Sequence, residues 1–304
     1  MGGQGTDEVS NSPMQTQTVS SSKRKSKSAD KRSSKKRSKK KKTMAERADR
    51  HVLYEQAVQD PKTDVATLAK LYKKIRKKPA LSFREDFCGT ATLSTEWVKA
   101  GKDRTAYGVD LDRPTLDWGR EHNIGSLNVI DAQRIELVEA NVLTARGPKA
   151  DLTAALNFSY CCFKERKQLL AYFKNAHKNM AKDGLFFLDV LGGTETMGTD
   201  ENRHDLGGFT YRWKQHRFDP LTHEIFCTIA FYFRDGSKIA PAFEYDWRLW
   251  TMPELCDLLE EAGFSRMHRL WEKTDKKGNG TGNFSEPKTV ENQESWWTYL
   301  VAER

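Results

Sequence analysis

Apolar positions near the start of the chain recur at helical spacing, and further on the period shortens. Val52, Leu53 and Ala57 predict a helix over Ala45–Val58, stopped by Asp60-Pro61. Val65, Leu68, Ala69 and Tyr72 form one stripe and predict a second helix over Asp64–Lys74, capped by Thr63. Strand-like and helix-like runs then alternate. Strands are predicted at Leu81–Asp86, Ala106–Asp110, Ile135–Ala140, Asp151–Leu156 and Gly184–Leu191, and helices at Ala91–Ala100, Pro114–His122 and Glu165–Met180. Such alternation predicts a doubly wound, mostly parallel sheet of an α/β protein.

The pattern changes after residue 205. Phe209–Phe218, His223–Phe233 and Ile239–Leu249 read as strands joined by turns at Asp219-Pro220 and Asp235-Gly236, an antiparallel β insertion over about 205–250. A last helix, Met252–Ala262, has Thr251 as its cap and Gly263 as its stop. Strand Phe264–Trp271, a glycine-rich loop over Lys276–Asn283 and strand Ser295–Ala302 complete the chain.

Charge divides the chain of 304 residues unevenly. Residues 1–43 hold thirteen Lys/Arg and three acids, so this stretch carries +10 of a formal total of +9, and residues 44–304 are left near neutrality. With almost no large apolar side chains, residues 1–43 are expected to be a disordered basic tail, and 44–304 a single folded domain. The run 23–42 is a candidate nucleic-acid tether or, in a eukaryote, a nuclear address; a solubilising tail is the plain alternative. Met44 follows it as a candidate alternative start. Five cysteines in an odd, unpatterned set predict a reducing, cytoplasmic setting, no disulfide framework and no metal site. The longest apolar stretch, Leu185–Leu191, is interrupted by an acid and too short to span a bilayer, so no membrane contact is expected.

The chemistry is expected at the first strand–turn–helix, Arg84-Glu85-Asp86-Phe87-Cys88-Gly89-Thr90-Ala91. In open parallel sheets, ligands bind beyond the carboxyl ends of strands, and a small residue in the turn lets them approach the backbone. The second strand ends in Asp110-Leu111-Asp112, about twenty residues on, where a carboxylate can accept the two hydroxyls of a ribose. These two segments together resemble the class I S-adenosylmethionine-dependent methyltransferases. Laid on their first motif, acid-x-Gly-x-Gly-x-Gly, Glu85 takes the acid, Phe87 the first glycine, Gly89 the second and Ala91 the third. Asp110 matches the ribose-binding acid. Asn141, followed by Val142, falls at the adenine contact, and Asn157-Phe158-Ser159-Tyr160 falls where the fourth motif lines the reaction site.

The resemblance covers roughly residues 81–195. It implies a seven-stranded Rossmann-like sheet, S-adenosylmethionine as cofactor, and Arg84, Glu85, Phe87, Cys88, Gly89, Asp110, Leu111, Asn141, Val142 and Asn157 as its contacts. Tyr54 is a candidate to close over it. Asn157 and Tyr160 are the catalytic candidates, and Tyr160, Arg248 and Trp250 the substrate-binding ones. Arg212, Arg217, His216 and His223 are further candidates for an anionic substrate group. The expected acceptor is a small molecule, an amine or a carboxylate-bearing metabolite, methylated by direct in-line transfer. An RNA or protein acceptor reached through the tail, and a non-catalytic protein that has kept the fold, are the alternatives. The replaced glycines at Phe87 and Ala91 motivate the last.

Overall fold

The computed structural model describes residues 41–278 and 280–304, and Lys42–Arg304 forms one compact unit. The expected tail and its basic run lie outside the described residues except for 41–43. Helix α1 spans Arg50–Val58, shorter than the spacing suggests. The Met44 and Ala45 N–H groups are spent on Asp235 Oδ2 (2.7 Å) and Ser237 Oγ (3.0 Å), and Asp49 caps the helix by accepting the His51 N–H. Helix α2 spans Pro61–Arg76. Asp60-Pro61 therefore starts a helix instead of stopping one: Asp60 accepts the Thr63 N–H, and Pro61 sits in the first turn, where an N–H has no partner to lose.

The alternation yields β1 (Ser82–Asp86), α3 (Thr92–Lys99), β2 (Thr105–Asp110), α4 (Arg113–His122), a single turn α5 (Val129–Ala132), β3 (Ile135–Glu139), β4 (Ala150–Ala155), α6 (Arg166–Asn179) and β5 (Met180–Gly192). The antiparallel sheet follows as β6 (Asp200–Asp205), β7 (Thr210–Phe218), β8 (Glu224–Tyr232) and β9 (Lys238–Arg248). The chain ends with α7 (Met252–Ala262), β10 (Arg266–Thr274), β11 (Gly280–Ser285) and β12 (Trp296–Glu303). Thr251 and Glu254 close a capping box on α7, and Gly263 ends it at φ 105°.

The main sheet has the order β3-β2-β1-β4-β5-β12-β10-β11. The first five strands are parallel; β12, β10 and β11 are antiparallel additions. The sheet thus has eight strands, not seven. The added one, β11, occupies the segment read as a glycine-rich loop, where Phe284 pairs with Glu272 and Gly280 with Thr274. β6 was likewise invisible to an apolar pattern, because DENRHD is polar throughout and pairs only along the sheet edge, with β7.

Alternation along β5 serves both faces of the sheet. Phe186 packs with Phe173, Leu255 and Leu259 under α6 and α7; Phe187 packs with Leu68, Tyr72 and Trp97 under α2 and α3. Strand order reverses between β1 and β4, the switch point where ligand crevices form. No helix among the described residues is long and apolar enough to cross a membrane.

Candidate functional site

A cleft of about 760 Å³ opens along the carboxyl ends of the parallel strands, within the range of small-molecule sites. Its floor is the turn after β1, Asp110 at the end of β2, Leu156–Ser159 after β4 and Asp189 on β5. One side is made by His51, Tyr54 and the start of α2. The roof is Phe243, Tyr245 and Trp247, which alternate along β9 and so share a face. The far end is closed by Glu272, Phe284, Trp297 and Tyr299.

The first turn is held from β2. Asp110 Oδ2 accepts the Gly89 N–H at 2.8 Å and Oδ1 accepts the Asp112 N–H at 2.9 Å, while the Cys88 N–H donates to the Val109 carbonyl. Phe87, Gly89 and Ala91 all lie in the left-handed region, at φ 59°, 52° and 57°. Two of the three positions that the motif gives to glycine are filled by other residues, yet each keeps a glycine-like backbone. Packing sustains the strain, which costs roughly 1–2 kcal/mol per residue. Phe87 lies 5.9 Å from the Phe163 ring and 5.5 Å from that of Tyr172, and Ala91 is fully buried.

Carboxylates dominate the lining. Glu85 accepts the Ser94 N–H and hydroxyl, and burial pushes its carboxyl up to about 8. Asp189 accepts the N–H groups of Asn157 (2.6 Å) and Phe158 (2.9 Å), both at φ 55°, and burial pushes it up to about 7. Asp86 is paired with Arg84 at 2.8 Å and accepts the Tyr172 hydroxyl; burial still raises it. Asp60, Asp64, Asp112 and Glu272 complete the set together with Asp110. Among the described residues Asp86 alone of these eight has an ion-pair partner, and no Lys or Arg lines the cleft.

The sequence-predicted residues divide accordingly. Glu85, Phe87, Cys88, Gly89, Asp110 and Asn157 line the cleft together, and Tyr54 closes its side, where its ring lies 4.9 Å from that of Phe243. The others do not line it. Arg84 is wholly buried, its Nε–H donated to Asp86 and its guanidinium set over the Tyr107 ring. Tyr160 is buried with its hydroxyl donated to the Asp189 carbonyl, which makes it a strut under the cleft and not a wall. Arg248 donates to Glu254, which ties β9 to α7, and to the Lys164 carbonyl, and lies over the Trp250 ring; the Trp250 indole N–H donates to the Phe163 carbonyl, so both also fasten to the segment before α6. Leu111 points to solvent, Asn141 caps its own turn by accepting the Leu143 N–H, and Val142 is core. Arg212 and Arg217 face Glu201 and Asp246, outside the cleft; His216 lies against the Thr228 hydroxyl, and neither it nor His223 lines the cleft.

Asp189 was missed, although its signal was present: it is the acid that interrupts the apolar run Leu185–Leu191. Asp64, Glu272, Trp297 and Tyr299 carried none, because they meet only through the antiparallel end of the sheet.

This architecture is the class I methyltransferase fold. It superposes on an S-adenosylmethionine-dependent methyltransferase from Clostridium acetobutylicum with a TM-score of 0.61 at 15% identity, over 83% of this chain and 96% of that one. The CcbJ methyltransferase from Streptomyces caelestis gives 0.61 at 16% identity, over 81% and 97%. CalS10, an amino pentose methyltransferase from Micromonospora echinaspora solved with S-adenosylmethionine bound, gives 0.59 at 13%, over 84% and 95%. No protein-family profile matches the chain, and no curated protein matches it in sequence.

Proposed function

We propose that the chain is an S-adenosylmethionine-dependent methyltransferase of a small molecule. The observation that carries this reading is the Asp110 carboxylate gripping the Gly89 turn in the floor of a cleft of about 760 Å³. The residues present suit the cofactor. Each Asp110 oxygen spends one lone pair on a backbone N–H and keeps one for a ribose hydroxyl. Glu85, Phe87, Cys88 and Asn157 stand around the same turn, and the surplus of carboxylates suits a cationic sulfonium. The left-handed backbone kept at Phe87 and Ala91 preserves the motif's shape despite the lost glycines, which favours a working site over a vestigial one.

When bound, the cofactor supplies an electrophilic methyl group on a sulfonium sulfur. The chain's own work is to orient the acceptor and exclude water, with Tyr54 at the side and Phe243, Tyr245 and Trp247 overhead. Asp189 holds Asn157 and Phe158 by their N–H groups and keeps lone pairs toward the cleft. There it takes a proton from an amine or hydroxyl of the acceptor, at a value near working pH. The lining opposes a nucleic-acid acceptor, whose phosphates would meet carboxylates and, among the described residues, no Lys or Arg.

Calorimetric titration of the full chain with S-adenosylmethionine tests the reading. Micromolar-range binding that Asp110→Ala loses is the expected result. No binding by the wild-type chain would sink it.

A further inference from the structure

Beyond Asp189 the cleft continues over the antiparallel end of the sheet. Tyr299 on β12 stands directly across from Asp189 in the register of β5. The arm that opens there has an aromatic wall of Phe284, Trp297 and Tyr299 and two carboxylates, Asp64 from α2 and Glu272 from β10. On the methyltransferase reading this arm is acceptor space, since the Gly89 turn and Asp110 lie at the opposite end of the strand order.

We propose that the arm binds a cationic head of the acceptor, an alkylammonium or quaternary ammonium group held apart from the atom that takes the methyl, which makes the acceptor a cationic and not an anionic metabolite.

Three observations converge on this. The first is charge. Among the described residues Asp64 and Glu272 have no ion-pair partner, and no Lys or Arg lines the cleft. One sign of charge between low-dielectric walls focuses the field and concentrates ligands of the opposite sign. The second is geometry. The Tyr299 ring lies 5.1 Å from Phe284 and 5.4 Å from Trp297, the latter nearly perpendicular, so two aromatic planes meet in a corner. Such a corner offers ring faces to a cation, and Trp297 stays 48% exposed at the mouth, unusual for so large an apolar side chain. The third is the spare acceptor capacity of the acids. Glu272 Oε1 takes the Gly282 N–H at 2.6 Å, which fixes the carboxylate, and among the described residues Oε2 receives no hydrogen bond; Asp64 Oδ1 there receives only the Tyr299 hydroxyl, at 3.4 Å.

An anionic group here would face these acids with no counter-charge, and a neutral one would leave them uncompensated. A cation satisfies both the acids and the rings. The nearby Lys70 and Lys74 do not compete for the arm: they donate outside it, to Asn283 and the Phe284 carbonyl.

The test uses three probes of one size, benzyltrimethylammonium, benzyl alcohol and benzoate, titrated calorimetrically into the full chain with and without saturating S-adenosylhomocysteine. The cation is expected to bind about tenfold or more tightly than either other probe, whether or not the homocysteine compound is present. Glu272→Gln and Trp297→Ala should each weaken the cation several-fold and leave S-adenosylhomocysteine affinity unchanged. Equal binding of cation and alcohol, preference for benzoate, or no cation binding would overturn the proposal. So would cation binding that S-adenosylhomocysteine abolishes and Glu272→Gln does not touch, since the probe would then occupy the sulfonium position. Cation binding in a protein that ignores S-adenosylhomocysteine would instead remove the methyltransferase reading and leave a cation site.

Discussion

Asp110 Oδ2 accepts the backbone N–H of Gly89 at 2.8 Å, so the end of one strand fixes the turn that leaves its neighbour. One carboxylate thereby shapes the turn and faces the cleft. Asp110→Asn should cut S-adenosylmethionine affinity by about ten- to a hundredfold, the range of a lost hydrogen bond to a charged group. Calorimetry reads the affinity. A parallel thermal melt should show only a modest loss of stability.

Glu85 gives the protein an unusual pH dependence. Burial pushes its carboxyl from 4.5 to about 8, so the folded state favours the protonated form. A raised value contributes stability in full below the ordinary carboxylate range and loses it as pH rises through about 8. Asp189, raised to about 7, and Asp64, raised to about 6, act in the same direction. The ligand-free melting temperature should therefore fall between pH 5 and pH 8. In Glu85→Gln the slope should flatten, because the amide oxygen still accepts from Ser94 and carries no charge to bury. An unchanged slope in that variant would contradict this account.

Restoring a glycine does not restore stability everywhere. Phe87→Gly relieves left-handed strain of about 1 kcal/mol but removes a ring packed against Phe163 and Tyr172 and adds unfolded-state freedom. A net loss of about 1–3 kcal/mol is expected in urea denaturation. Ala91→Gly gives up only one buried methyl for similar relief and should come out within about 1 kcal/mol of the parent.

Asp189→Asn separates proton transfer from binding. Turnover of an amine acceptor should fall about a hundredfold or more, with S-adenosylmethionine affinity retained. In the parent, the rate should decline as pH falls through about 7, where Asp189 gains its proton, and this limb should vanish in the variant. Retention of the limb would assign the proton to another group.

The parallel half of the sheet could be read from sequence because β1, β2, β4 and β5 are largely buried on both faces and stand next to helices of clear period. Residues of the first turn were legible too, since a contiguous motif carries them. What could not be read is what depends on edges and on distant pairing. β6 has no apolar face, and β11 (GTGNFS) has Phe284 as its one apolar side chain and exists through its pairing with β10. The substrate side failed for a related reason. Arg248 sits among aromatics in sequence, but alternation on β9 sends Phe243, Tyr245 and Trp247 to the cleft and Arg248 to the opposite face, onto Glu254. Tyr160 follows the fourth motif in order, yet a turn of 3-10 helix carries it inward.

Helix α1 is only nine residues long, too short to persist alone in water. It is fastened from both sides: Asp49 accepts from the Trp118 indole, Glu55 accepts from the Thr90 hydroxyl and the Asn123 amide, and Arg50 and Tyr54 lie against Phe243 of the roof. Its helicity is thus borrowed from the two bodies it joins, and it works as a stitch between them. A shortened chain that begins at Met44 keeps the stitch. One that begins after Val58 would free the antiparallel sheet from the turn it covers and turn a roofed cleft into an open shelf.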